Sequence, residues 1–266
     1  MPTSSAAFRA LGTLLALALL LVGSPGAVHA QTPTTLTVHV LAHDAKLLQD
    51  PVGGARVTVR NAITNEILAQ GVQRGTSGST KAIMEQAKTR GADIFTGDEA
   101  ARFVAELPLT KPTRVLVTAE GPLAYEQSVQ RASKTLLMVP GQDITGDGLV
   151  LELHGFIVQL LPATDVVVEE GEASLDVRAE VQMLCGCPTK PGGMWDSNTY
   201  TMKARLVDET GAVVSSVDLE YAGTPSEYTA TVPVPSTGEL PTHIQVVVSD
   251  ADRVNFGMAS SVLSRP

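Results

Sequence analysis

The stretch Ser174-Leu175-Asp176-Val177-Arg178-Ala179-Glu180-Val181-Gln182-Met183 decides the fold class. Leu175, Val177, Ala179, Val181 and Met183 alternate with Ser174, Asp176, Arg178, Glu180 and Gln182. A period of two sends the apolar set to one face of a β-strand and the polar set to the other. The same alternation recurs on either side: in Leu36 to Val40, Arg56 to Arg60 and Thr113 to Val117 before it, and in Tyr200 to Val207, Val213 to Tyr221, Tyr228 to Val232 and His243 to Val248 after it. Turn residues separate these runs, among them Asp50-Pro51-Val52-Gly53-Gly54, Gly121-Pro122, Pro140-Gly141, Asp208-Glu209-Thr210-Gly211 and Pro235-Ser236-Thr237-Gly238. Many short strands spaced about 8–12 residues apart predict an all-β chain of β-sandwiches.

One segment departs from the pattern. Ser79 to Arg90 suits a helix, with Ser79 as N-cap and Gly91 as the stop, so a short helical insertion is expected near 79–91. Leu149 to Leu161 is nearly continuously apolar around Gly155. The reading places a boundary at His154-Gly155, giving a first sandwich over 31–154 and a second over 155–266. Pro162 to Asp165 is the competing position. A short apolar junction implies that the two sandwiches pack against each other.

The chain has 266 residues, 44% of them apolar and 18% charged, a globular composition. Arg9 is the sole charge before Asp44, and Leu11 to Val22 has the length of a signal-peptide core rather than a bilayer span. Val28-His29-Ala30 offers small residues at the −3 and −1 positions of a cut before Gln31. Residues 1–30 therefore read as a signal peptide, and the mature chain as periplasmic or secreted. Cleavage leaves 18 basic against 28 acidic residues, a net charge of −10. With no basic block to neutralise phosphates, nucleic acid is excluded as the main partner. No later run is long and apolar enough for a membrane segment after cleavage.

Asp50-Pro51-Val52-Gly53-Gly54-Ala55-Arg56-Val57-Thr58-Val59, followed by Thr64-Asn65-Glu66 and Ala69-Gln70-Gly71, resembles the carboxypeptidase regulatory-like, prealbumin-type domain. That family has a P-x-x-G-A-x-V-x-V strand before a hairpin, and a T-x-x-x-G turn for which Thr76-Ser77-Gly78 is the candidate. Phe103 to Leu107 and Thr113 to Ala119 resemble its next strands. The resemblance covers roughly residues 35–120, interrupted at Lys81 to Arg90, and bears on fold more than on activity. It implies a seven-stranded sandwich used as a non-catalytic accessory or binding module. The second half is immunoglobulin-like by strand count alone.

The densest chemistry lies in Met183-Leu184-Cys185-Gly186-Cys187-Pro188, running on to Met194-Trp195-Asp196. Continued alternation puts Cys185 and Cys187 on the apolar face with Met183. Three readings stay open. A Cys185–Cys187 disulfide needs a local turn, because Cβ atoms two residues apart on a strand stand about 6.5–7 Å apart against the ~3.5–4.5 Å a disulfide requires. A soft-metal site for Cu(I) or Zn could draw on Cys185, Cys187, Met183 and His154. A redox-exchange disulfide is the third, with Lys190 nearby to favour the thiolate. Trp195, flanked by Met194 and Asp196, is a ligand-stacking candidate or a core anchor.

Gly141 to Gly148 places Asp143, Thr145 and Asp147 at positions 1, 3 and 5 of a calcium loop, with His154 where the bidentate Glu belongs. A strand–turn–strand explains the same letters. No nucleophile elbow, Ser-x-x-Lys, His-Glu-x-x-His or Walker loop occurs. The sequence thus predicts an exported, non-catalytic binding or assembly module with no obligatory cofactor, Cu(I) and Ca2+ being the candidates. Its expected partner is another envelope or extracellular protein, or a second copy through strand edges. A periplasmic thiol-redox or copper-handling protein is the alternative, and a glycan hydrolase using loop carboxylates and Trp195 the third.

Overall fold

The computed structural model describes residues 33–161 apart from 96 and 98, then 166–169, 172–236 and 241–263. The leader with its cleavage site and the competing boundary at 162–165 lie outside these residues. Seven strands come first: β1 (Thr34–Ala42), β2 (Ala55–Asn61), β3 (Ile67–Gln73), β4 (Phe103–Leu107), β5 (Thr113–Gly121), β6 (Gln130–Met138) and β7 (Ile144–Leu153). They form the sheets β4-β1-β7 and β3-β2-β5-β6. Nine follow: β8 (Phe156–Leu160), β9 (Val166–Glu169), β10 (Glu172–Met183), β11 (Thr201–Val207), β12 (Val213–Asp218), β13 (Glu220–Tyr221), β14 (Glu227–Val234), β15 (His243–Asp250) and β16 (Asn255–Val262). These form β13-β14-β10-β8, with β9 also paired to β10, and β12-β11-β15-β16. The protein is all-β, as its alternation predicts.

β10 shows why. Leu175, Val177, Ala179, Val181 and Met183 are all buried, while β14 and β8 hold its two edges antiparallel. Burying each of the larger side chains contributes about 1.5–3 kcal/mol before the entropy of ordering the chain is set against it. One apolar cluster runs through all four sheets, from Leu36 and Val57 to Val177 and Val246. The body from Pro33 onward is accordingly one compact unit.

The helix expected over 79–91 contracts to a single helical turn, Lys81–Glu85. Ser79 Oγ does accept the Ala82 N–H, at 3.3 Å. Gln86 is already extended, because Ile83 alone finds burial there and no apolar stripe follows to hold another turn. Ile83 joins Leu41, Leu47, Phe95, Ala100 and Ala101 in a small separate cluster.

Among the described ladders, β1 with β7 is the parallel one. Its register pairs Leu41 with Glu152 and Ala42 with Leu153, and His43 N–H continues it by donating to Leu153 O at 2.8 Å. The ends of β1 and β7 thereby meet where the chain passes from β7 into β8.

Candidate functional site

Four segments converge at that place: residues 43–53 after β1, residues 152–155, the loop from Leu184 to Tyr200, and the turn between β15 and β16. Each is held by hydrogen bonds from another.

The loop begins as the alternation predicts. Met183, Cys185 and Cys187 are buried, the two cysteines at 0% and 4% exposure. Their sulfurs are bonded, and the Cα atoms stand 5.4 Å apart. A turn makes this possible: Gly186 takes φ +79°, Gly186 N–H donates to Met183 O at 2.8 Å, and Met183 N–H to Cys187 O at 3.0 Å. Gly186 is required twice over, since a Cβ there would also lie 2.7 Å from Val52 Cγ1. Gln49 Nε2 donates to Cys185 O at 2.9 Å and ties the turn to the segment after β1.

Trp195 is 8% exposed, and its indole N–H donates to Asp44 O at 2.9 Å. It stands in the apolar core with its polar edge on the other segment, the geometry of an anchor. Asp196 is local scaffolding: its carboxylate accepts N–H bonds from Gly192 at 2.8 Å and Asn198 at 3.0 Å. The Asn198 and Gly192 backbone bonds hold that carboxyl below the usual range. Met194 is half exposed. The Met183 sulfur receives the Tyr200 hydroxyl at 3.8 Å. Burial, then the nearby charges of Asp250 and Asp44, push the Tyr200 phenol well above its ordinary value.

The calcium-loop residues diverge. Asp143 accepts the Thr35 N–H at 2.8 Å, whereas Asp147 accepts N–H bonds from Ile94 at 2.8 Å and Phe95 at 2.7 Å. Thr145 is exposed on β7. The two carboxylates therefore pin different segments.

His154 lies against His43 and Glu152 rather than beside the cysteines. The imidazoles of His43 and His154 stack with centroids 4.0 Å apart, and His43 Nδ1 meets Glu152 Oε1 at 2.9 Å. His154 Nδ1 meets Val254 O at 3.3 Å. His39, by contrast, is buried with Nδ1 on Ala101 O at 2.8 Å. Across the same junction Arg253 pairs with Asp44 at 3.0 Å and Asp250 at 3.1 Å, and Asn255 Oδ1 accepts the Gly155 N–H at 2.8 Å. Val254 turns the hairpin at φ +56°, a left-handed conformation uncommon for a β-branched residue.

From Val254 the chain runs into β16, the edge of its sheet. Phe256, Met258 and Val262 project outward, 52%, 49% and 69% exposed, and β16 carries no charged residue. The alternation that marks other strands here points its large apolar members at solvent.

Sequence reasoning weighed His43 only with His39, which a strand would hold about 13 Å away, and missed Glu152, Asp44, Arg253 and this row. Glu152 and His154 are two apart on β7 and its continuation, so their shared face was readable; His43 enters through a parallel register across about a hundred residues.

No protein-family profile and no curated protein matches the chain. Among solved structures it is similar to bovine butyrophilin, at 8% identity over 87% of this chain and 99% of that one, with a TM-score of 0.25. A chain from the crystal structure of ICOS in complex with ICOS-L and an anti-ICOS-L VNAR domain is similar at 7% identity, over 86% of this chain and 95% of that one, with a TM-score of 0.22.

Proposed function

We propose that this is an exported, non-catalytic β-sandwich protein of the periplasm or extracellular space that acts as a binding and assembly module through β16. The observation that carries the reading is the outward row Phe256, Met258 and Val262 on an edge strand without charge. Soluble proteins blunt their edges with charges, and large exposed apolar side chains in a row mark contact surfaces. Two supports stand beside it. The leader suits export, and a Cys185–Cys187 bond suits an oxidising compartment. The prealbumin-type resemblance of residues 35–120 belongs to the same reading, as that of an accessory module.

The occupant is a second copy of the chain. An antiparallel pair across a two-fold axis is self-complementary. Centred on Ala259, it sets Phe256 opposite the partner's Val262 and Met258 opposite the partner's Ser260, on one face. Such apolar cross-strand pairs contribute about 0.2–1 kcal/mol each beyond the ladder itself.

Sedimentation equilibrium of the chain from Gln31, up to high micromolar concentration, tests this. Wild type should dimerise, and F256D/M258D should stay monomeric with an unchanged far-ultraviolet spectrum. A wild type that is monomeric throughout, or a double variant that dimerises equally well, refutes the assignment.

A further inference from the structure

We propose that His43, Glu152 and His154 form a site for one divalent transition-metal ion at the open end of the β1–β7 pair. Ligand atoms from the three side chains lie within 4.8 Å of one another. Two imidazole nitrogens and a carboxylate oxygen around a tetrahedral ion at about 2.0–2.1 Å stand ~3.4 Å apart. Closing that difference requires the two imidazoles, stacked at 20° with centroids 4.0 Å apart, to tilt until their in-plane lone pairs converge on the ion; the His43 and Glu152 side chains are 28% and 44% exposed.

The backbone preassembles the set. Glu152 and His154 are two residues apart and share a face. The parallel register sets Leu41 beside Glu152 and Ala42 beside Leu153, so His43 arrives next to His154. The hydrogen bonds also fix the tautomer that matters. A carbonyl oxygen only accepts, so His154 Nδ1–H donates to Val254 O and leaves Nε2 with its lone pair free. Ligating histidines usually have their second ring nitrogen tied in this way to a carbonyl or carboxylate. At His43 the Nδ1–H donates to Glu152. When an ion takes that carboxylate oxygen and Nδ1, the imidazole proton moves to Nε2, so no proton is gained or lost. Two neutral imidazoles and one carboxylate then face the cation, with water in the fourth position.

This donor set chooses the class of ion. Calcium and magnesium take all-oxygen shells, and Cu(I) takes thiolate and thioether sulfur. Two nitrogens and one oxygen suit Zn2+, Ni2+ or Cu2+. The site is separate from Met183, Cys185 and Cys187, which are buried and whose cysteines are bonded to each other. Because His154 also holds Val254, and Asn255 Nδ2 reaches His43 O at 3.4 Å, the ion adds a link between the β1–β7 end and the β15–β16 turn.

Zn2+ competition against a chromophoric chelator, on the untagged chain from Gln31, tests the site. Wild type should bind one Zn2+ per chain and melt at higher temperature with it. E152Q, which keeps the side-chain shape, and H154A should each bind at least about tenfold more weakly. H43A/H154A should lose both the binding and the thermal shift. C185S/C187S and H243A should retain both. The proposal is overturned if wild type takes up no stoichiometric Zn2+, or if H43A/H154A binds as wild type does. It is equally overturned if C185S/C187S abolishes binding while E152Q leaves it intact.

Discussion

Replacing Trp195 is the most direct way to ask what holds the junction together. The side chain is 8% exposed and the indole N–H reaches Asp44 O at 2.9 Å. Two separable contributions follow. W195A removes the whole ring from a packed site, which costs about 3–5 kcal/mol. W195F keeps much of the apolar volume but removes the bond to the carbonyl of Asp44, an exposed residue that water can serve, which costs about 0.5–1.5 kcal/mol. For a body of this size each kcal/mol moves the melting temperature by about 2–4 °C, so W195A should melt roughly 6–20 °C lower and W195F roughly 1–6 °C lower. Differential scanning calorimetry with far-ultraviolet circular dichroism measures both. Trp195 is the single tryptophan, so wild-type fluorescence should also be blue-shifted and move to the red on unfolding. W195A melting within about 2 °C of wild type would refute the anchoring role. A larger loss in W195F than in W195A would refute the division between packing and hydrogen bond.

Two further outcomes follow from the same region. V254N should raise stability by about 1 kcal/mol, since Asn tolerates the left-handed conformation that Val254 holds at φ +56°, and Val254 is exposed and buries little; chemical denaturation that gives an equal or lower midpoint refutes the strain. Tyr200 and Tyr228 both hold their protons more tightly in the folded state, burial being the leading cause. A phenol raised in this way contributes stability that is complete below the ordinary value of about 10 and falls as pH rises beyond it. Phenolate absorbance should therefore separate these two of the four tyrosines, with ionisation coming only together with loss of the native spectrum; four normal titrations in folded protein contradict it.

The strands with one buried face were legible because burial imposes a two-residue period. β2 and β10 bury Val57 and Val177 and expose their neighbours or leave them half-buried, and β11 buries Met202, Ala204 and Leu206 around half-buried Lys203 and Arg205. β16 obeys the same period, but its buried members are Asn255 and Ala259 and its large apolar residues face outward, so composition gave it no core signature. The insertion was overread. Ser79 and Gly91 are sound helix punctuation, yet only Ile83, with Met84 packed beside it, reaches the small cluster, and that sustains one turn. At the site, local letters carried the loop only in part: Gly186 and Pro188 permit the turn that a Cys185–Cys187 bond needs, but the letters alone also fit a metal or redox pair. Asp143 and Asp147 show the opposite limit, for Asp reads alike whether it binds an ion or caps backbone N–H groups. In the histidine cluster Glu152 and His154 share a readable face, but His43 joins them through a parallel register, which leaves no local spacing.

That parallel register has a consequence for the order of assembly. β1 pairs with β4 and β7, so the sheet that contains β1 waits for segments that follow much later. Joining Leu36 to Ile144 closes a loop of about a hundred residues, an entropic cost about 2 kcal/mol above that of a ten-residue hairpin. The hairpins β2–β3, β5–β6 and β15–β16 close locally and form first. Until Leu149 to Leu153 arrives, the strand Thr34–Ala42, with Leu36, Val38 and Val40 bare, is an unprotected apolar edge on the folding chain. β1 is thus the segment longest exposed during folding, and because the β1–β7 ladder closes late, destabilising it should mainly speed unfolding and change the folding rate little.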